Sequence, residues 1–212
     1  LMLVGSVSAS VADELCTTHR VCDTACRVVI DEPIAGEYYD PVTIKWHYEG
    51  KCNPLETYLA YQKGSCGSPY NWVKIADNLN PSIMQYEWDV TSFNSGQYCL
   101  AVNIDQLSGP DAGSTSGLFI LDLDDPVLTI SVGSPKVIDG VNTYVNQETL
   151  ITLSCTDDGT YDSGVDYIEY TIKDGTPVKV YDDETTFKFS EDSEHVVEAT
   201  CVDKVGKYDD KT

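Results

Sequence analysis

Eight cysteines are the side chains of this sequence with the most definite chemistry. Their even number and the absence of paired CxxC spacings favour disulfides over a zinc site. The cysteine-rich stretch 13–26 also lacks a histidine or aspartate spacing that indicates a metal. Because disulfides persist in oxidising compartments, the sequence predicts an extracellular protein. The cysteines are Cys16, Cys22, Cys26, Cys52, Cys66, Cys99, Cys155 and Cys201.

Three dispersed histidines are the candidates for acid–base catalysis. His19 lies in the cysteine-rich stretch, His47 within a predicted strand and His195 at the start of another. No nucleophile elbow of the form GxSxG and no HExxH motif accompanies them. The sequence therefore predicts a protein that is not an enzyme, with no catalytic or cofactor-binding residues.

Acidic residues dominate the charge of the chain. Thirteen lysines and arginines stand against 35 aspartates and glutamates, which gives a net charge of −22. Nucleic acids and anionic membrane surfaces both require a basic face, so neither is expected as a partner. No run of about 20 apolar residues is present, so no transmembrane helix is expected.

The acidic segment 122–126 has two interpretations. It is a solvated linker between domains, or it contributes carboxylates to a calcium ion, which prefers oxygen ligands. Calcium is the single cofactor that the composition suggests; otherwise none is expected. The candidate ligands are Asp122, Asp124, Asp125, Asp157 and Asp158.

Apolar residues at every second position predict strands with one buried face from residue 27 to residue 124. Several short strands separated by turn residues predict one complete β-sandwich in this range. A loop rich in glycine and serine is expected at 108–117. The alternating residues include Val42, Ile44, Trp46 and Tyr48 in one strand, and Tyr98, Leu100, Val102 and Ile104 in another.

Residues 125–212 show the same alternation and predict a second sandwich. Two of its strands end their buried faces on Cys155 and Cys201. A bond between these cysteines joins two facing sheets, as in an immunoglobulin-like sandwich. The predicted fold is therefore all-β, with two tandem immunoglobulin-like sandwiches.

Several motifs resemble known modules. PVTIKW at 41–46, WVKIA at 72–76, YEWDVT at 86–91 and SGQY at 95–98 are similar to the fibronectin- and immunoglobulin-like modules of prokaryotic surface proteins. SGV at 163–165, IEY at 168–170, EH at 194–195 and VDKVG at 202–206 resemble the immunoglobulin-like repeats of bacterial and archaeal adhesins and filament proteins. The resemblance implies a fold and leaves the activity open.

Sandwich topology suggests how the other cysteines pair. Cys26 precedes the first predicted strand (A, 27–30) and Cys52 follows the second (B, 42–48), so both lie at one end of the sandwich. Cys66 follows strand C (57–62) and Cys99 opens strand F (98–104), so both lie at the opposite end. Two cysteines of the 13–26 neck remain as a local loop. The predicted pairs are Cys155–Cys201, Cys26–Cys52, Cys66–Cys99 and Cys16–Cys22.

The final strand of the second sandwich is the feature expected to be missing. The resemblance implies a strand G after 202–206, and only a polar tail follows. Residues 1–12 offer a separate apolar strand, unless they are the remnant of a secretory signal. Its apolar face consists of Leu3, Gly5, Val7, Ala9 and Val11.

Two functions follow from these expectations. In the first, the chain is a structural subunit of an extracellular appendage such as a pilus. Its strand 1–12 completes the second sandwich of the next identical subunit by donor-strand complementation, which forms a homopolymer. In the second, the chain is a fragment of a longer cell-surface adhesin or S-layer-type protein, in which it serves as a spacer or binding module.

Overall fold

The structure is a computed structural model that describes residues 25–67, 71–173 and 175–212. Within these ranges the chain is all-β and contains no helix. In this described part, therefore, no helix has the length and apolarity that a membrane span requires. The first group of strands is β1 (Arg27–Glu32), β2 (Tyr38–Tyr39), β3 (Val42–Glu49), β4 (Pro54–Lys63), β5 (Val73–Leu79), β6 (Gln85–Trp88), β7 (Gly96–Gln106) and β8 (Ala112–Leu121).

Two sheets form the first sandwich. One has the order β1-β3-β6 and the other β2-β8-β7-β4-β5. Their facing side chains bury a large core, because the alternation in β3 and β7 directs every second residue inward. Val42, Ile44 and Trp46 are at most 1% exposed. Of the loop expected at 108–117, residues 108–111 lie between strands, whereas the residues from 112 onwards begin β8 and pair with β7.

The second group of strands forms a smaller sandwich. Its sheets have the orders β15-β12-β9 and β14-β13-β16-β17, and β10 pairs with β11 as a hairpin. The Cys155–Cys201 disulfide joins β12 of one sheet to β16 of the other. The strands are β9 (Val127–Val132), β10 (Lys136–Asp139), β11 (Asn142–Val145), β12 (Ile151–Thr156), β13 (Val165–Ile172), β14 (Val178–Val180), β15 (Glu184–Phe187), β16 (Val197–Asp203) and β17 (Tyr208–Lys211).

The prediction that the second sandwich lacks its final strand requires correction. The polar tail forms β17, which pairs antiparallel with β16 from Ala199 to Val202. An edge strand tolerates polar residues because its outer side meets water. Asp209 and Lys211 also bond to β9, since the Asp209 carboxylate accepts the Leu128 N–H and the Lys211 ammonium donates to the Leu128 carbonyl. Strand G is thus present over four residues.

The predicted donor strand, with Leu3, Gly5, Val7, Ala9 and Val11, lies outside the described residues. The same holds for Cys16 and Cys22 of the neck and for His19. Their assignments remain predictions.

Candidate functional site

An open groove lies at the end of the second sandwich that is remote from the first. Strand β9 begins at Val127, just after the end of the first sandwich, and ends at Val132, which pairs with Ile151. It therefore runs away from the junction of the two sandwiches. Strand β17 runs in the same direction, because it begins opposite Val202 near the end of β16. Beyond Lys211, the direction of β17 leads between β9 and the start of β16. The groove is lined by residues of β9 and by Val197 at the start of β16, and no residue of β17 lines it.

Apolar side chains line the floor of this groove, which has a volume of about 830 Å³. We call it the distal groove and define it by Ile130, Val132, Ile151, Phe189 and Val197. Ile130, Val132, Phe189 and Val197 are all partly exposed. Covering apolar side chains that are in contact with water lowers the free energy of the protein. These five residues can contact an apolar segment, while the rest of the lining is largely polar and includes the acidic Glu191, Asp192 and Glu194.

The core of the second sandwich is correspondingly small. Six buried residues form it, against thirteen in the first sandwich, among the parts of the chain that the structure describes. Its buried residues lie towards the junction and between the disulfide-linked strands, where β17 covers β16. The six are Leu128, Leu153, Cys155, Ile168, Ala199 and Cys201. At the distal end Thr149 and Ile151 are also buried, whereas Val132, Phe189 and Val197 are partly exposed.

The histidines do not form a catalytic arrangement with each other. His195 stacks on Phe189 at the rim of the distal groove, with 3.9 Å between ring centroids. Its Nε2 lies 3.2 Å from the Ser193 hydroxyl. His47 belongs to the first sandwich, where its Nδ1 lies 2.9 Å from the exposed Asp31 carboxylate. That carboxylate raises the pKa of His47 through a hydrogen bond.

A cluster of three carboxylates lies at the junction of the two sandwiches. Asp122 follows β8, Asp157 follows β12 and Asp203 ends β16. One carboxylate oxygen from each lies within 4.8 Å of the other two. The three residues are 0%, 8% and 1% exposed, respectively. Three carboxylates buried together are unusual, because burial and mutual repulsion both disfavour their charged forms.

Backbone N–H groups hold one oxygen of each carboxylate. The Ser163 N–H donates to Asp122 Oδ2 at 2.5 Å, and the Gly164 N–H donates to Asp157 Oδ2 at 2.7 Å. Asp203 Oδ1 accepts the N–H groups of Val205 at 2.9 Å and of Lys207 at 2.8 Å. These bonds fix the orientation of the three side chains. Asp122 Oδ1 and Asp203 Oδ2 are buried without a hydrogen-bond partner among the described residues, as is the Ser163 hydroxyl.

The electrostatics of this cluster reflect its burial. Burial raises the pKa of Asp157 to about 6, and the charges of Asp122, Asp162 and Asp203 raise it further against the opposing bond from Gly164. Burial also raises the pKa of Asp203, although three backbone N–H groups oppose this shift. Burial at the junction therefore disfavours the negative charge that these three carboxylates carry when ionised.

The remaining candidates for calcium lie outside this cluster. Asp124 is exposed and accepts a hydrogen bond from the Ser95 hydroxyl at 2.5 Å. Asp125 lies 3.6 Å from the Lys207 ammonium, and Asp158 is exposed. The structure thus brings together Asp122 and Asp157 from the predicted set and adds Asp203. Sequence reasoning missed Asp203, although its place at the end of a strand in the VDKVG motif was a usable signal.

Three disulfides lie within the described residues. Their Cα–Cα distances are 4.7 Å for Cys26–Cys52, 5.4 Å for Cys66–Cys99 and 5.8 Å for Cys155–Cys201. Disulfides at this density fit an oxidising, extracellular location.

Comparison with known proteins finds structural neighbours but no matching family model and no matching curated protein. The fibronectin(III)-like modules of Clostridium thermocellum CbhA align with a TM-score of 0.46 and 16% identity, over 87% of this chain and 90% of theirs. The FN1–FN3 domains of chicken CNTN1 align with a TM-score of 0.40 and 17% identity, over 86% of this chain and 65% of theirs. Both are fibronectin-type modules. In this chain the strand orders and the cross-sheet disulfide themselves define an immunoglobulin- or fibronectin-like β-sandwich.

Proposed function

We propose that the chain is an extracellular structural subunit that polymerises head to tail, with residues 1–12 of one copy completing the second sandwich of the next. The observation that carries this proposal is the position of the distal groove. Strand β17 pairs with β16 over four residues, from Ala199 to Val202, and Val197, which precedes that paired stretch in β16, lines the groove. A strand placed there continues the β17 position and extends the sheet.

The edge of β16 supplies backbone partners for such a strand. Val197 and Glu198 pair with β13 on one side, and within the described residues they have no strand on the β17 side. An unpaired sheet edge accepts an extended segment through main-chain hydrogen bonds, while pockets receive every second side chain. The distal groove offers those pockets in Ile130, Val132 and Ile151.

Residues 1–12 have the pattern that this arrangement requires. Apolar or small residues occupy the odd positions from Leu3 to Val11, and serines occupy positions 6, 8 and 10. In an extended strand these two sets lie on opposite faces. One face therefore fills the groove and the other meets water.

The geometry of exchange determines the form of the assembly. The donor lies at one end of the sequence and the acceptor is formed near the other, so the contact is heterologous. Repetition of a heterologous contact produces a filament unless it closes into a ring. The net charge of −22 favours solubility of the subunit before assembly. The competing occupant is a segment of the same chain that follows Thr212 in a longer adhesin.

The donor strand is tested by a matched pair of substitutions. Val7→Asp places a charge on the face that enters the groove, whereas Ser8→Asp places the same charge on the opposite face. Sedimentation velocity and negative-stain electron microscopy should show filaments for the wild type and for Ser8→Asp, and monomers for Val7→Asp. Filaments of unchanged subunit spacing from Val7→Asp, or from a chain without residues 1–12, contradict the proposal.

The acceptor offers its own matched pair. Val197 lines the distal groove, and the neighbouring Val196 is 42% exposed and does not line it. Val197→Asp should block assembly, whereas Val196→Asp should not. Mixing each variant with wild-type seeds then separates the two roles, because Val197→Asp subunits retain a donor strand and should cap filament growth. If wild-type chains remain monomeric at all concentrations, the proposal fails.

A further inference from the structure

We infer that Asp122, Asp157 and Asp203 form a calcium site that joins the two sandwiches. The site is separate from the distal groove, so it stands or falls independently of the proposed assembly. Asp122 directly follows β8, the last strand of the first sandwich. Asp157 directly follows β12 and Asp203 is the last residue of β16, and both strands belong to the second sandwich. One ion bound by all three therefore contacts both sandwiches.

The spacing of the carboxylates fits the ion. Calcium binds oxygen ligands at about 2.3–2.6 Å, so ligands on opposite sides of it are about 4.8 Å apart. The three carboxylate oxygens lie within 4.8 Å of one another. Magnesium requires near-ideal octahedral geometry at about 2.0–2.1 Å and retains several waters, so a site built from three protein carboxylates favours calcium.

Unpartnered buried oxygens give the independent sign that a ligand belongs here. Asp122 and Asp203 are 0% and 1% exposed, and each has one oxygen held by backbone N–H groups. The other oxygen of each has no partner among the described residues, and neither has the hydroxyl of Ser163, which is 6% exposed. Buried polar atoms are otherwise almost always hydrogen-bonded. A cation satisfies both carboxylate oxygens at once.

The charges around the cluster provide no alternative partner. Within the described ranges, no lysine or arginine forms an ion pair with Asp122, Asp157 or Asp203. The nearby Lys207 ammonium is directed to Asp40 at 3.1 Å and to Asp125 at 3.6 Å. Uncompensated buried carboxylates are costly. Because all the charged ligands are hard oxygen donors, with no cysteine or histidine among them, calcium suits the site better than zinc.

Calcium is the probe for the test, applied to the full chain after removal of bound metal with a chelator. Isothermal titration should show one ion bound per chain, with a dissociation constant of about 10⁻⁴ to 10⁻³ M, the range of extracellular calcium modules. The melting temperature should rise with calcium concentration, because the ion binds the folded state. Absence of heat and of any melting shift at millimolar calcium overturns the inference.

Neighbouring aspartates provide matched variants. Asp157→Asn and Asp203→Asn each remove a ligand charge and should weaken calcium affinity at least tenfold. Asp158→Asn and Asp124→Asn remove equal charges from exposed side chains and should leave affinity within about twofold. Equal affinity in all four variants shows that the acidity of the joint binds calcium diffusely, and this outcome rejects the site.

The stability of the metal-free variants separates a ligand role from a purely structural one. In chelator, Asp157→Asn removes one of three clustered charges, so its melting temperature should equal or exceed that of the wild type. In calcium, the order should reverse. An Asp157→Asn protein that melts below the wild type by the same amount in chelator and in calcium indicates a structural carboxylate and contradicts the inference.

Discussion

The carboxylate of Asp122 accepts a hydrogen bond of 2.5 Å from the backbone N–H of Ser163, and this bond crosses from the first sandwich to the second. Both residues are buried, at 0% and 6% exposure. The junction is therefore a packed contact, in contrast to a freely solvated linker. Its orientation depends on a few polar interactions, each of which makes a specific prediction.

The ion pair between Lys207 and Asp40 also crosses the junction, with 3.1 Å between ammonium and carboxylate. Lys207→Gln should lower the free energy of unfolding by no more than about 1 kcal/mol, since partly exposed pairs contribute little. It should nevertheless widen the range of angles between the sandwiches. Small-angle scattering measures this range, and Lys188→Gln, which removes an exposed pair with Glu148, is the control. Unchanged scattering from both variants contradicts a role for Lys207 in orientation.

The pH dependence of the metal-free protein follows from Asp157. Burial raises its pKa from 3.8 to about 6, with Asp122, Asp162 and Asp203 as the neighbouring charges. Because the folded pKa exceeds the unfolded one, ionisation of Asp157 disfavours the folded state. The contribution of Asp157 to the stability of the folded state is therefore full below about pH 4 and is lost as the pH rises through about 6.

Thermal melts in chelator between pH 4.5 and 7.5 measure this effect. The melting temperature of the second sandwich should fall by several degrees from the titration of this group, since a domain of this size loses about 4–8 °C per kcal/mol. Asp157→Asn should reduce the fall, while Asp158→Asn should not. A wild-type profile identical to that of Asp157→Asn contradicts the assignment.

The Cys155–Cys201 bond closes a segment of 46 residues. Loss of the bond by a double substitution to alanine should destabilise the second sandwich by about 4 kcal/mol in the chain-entropy model. The first sandwich should melt unchanged, because its own disulfides are intact. Differential scanning calorimetry resolves the two transitions, with Cys66→Ala/Cys99→Ala as the converse control. Equal loss in both sandwiches contradicts their separate cores.

Most strands of the structure are readable from period-two alternation. The pattern of Val42, Ile44 and Trp46 in β3 reports burial directly, since the pleat alternates faces. The errors occur where burial does not determine the strand. The start of β8 is rich in glycine and serine yet pairs with β7. Strand β17 is polar because it lies at a sheet edge, where pairing with the backbone of β16 and bonds to Leu128 replace apolar burial.

The carboxylate cluster was only partly predictable for a different reason. Asp122 and Asp157 were identified from acidic composition near a domain boundary, but so were Asp124, Asp125 and Asp158. Composition does not distinguish a buried aspartate from an exposed neighbour. The distinction arises from three strand ends meeting at the junction, which includes Asp203 from a segment about 45 residues away from Asp157 in sequence.

The most direct measurement of the account is the binding of a synthetic peptide of residues 1–12 to a chain from which those residues have been deleted. If residues 1–12 complete the second sandwich, the peptide should bind saturably and one-to-one and should raise the melting temperature of that sandwich. Both effects should be lost with a Val7→Asp peptide or a Val197→Asp acceptor. The Ser8→Asp peptide and the Val196→Asp acceptor should bind as the unmodified partners do. Absence of binding, or equal binding of the Val7→Asp peptide, contradicts completion of the second sandwich by this strand.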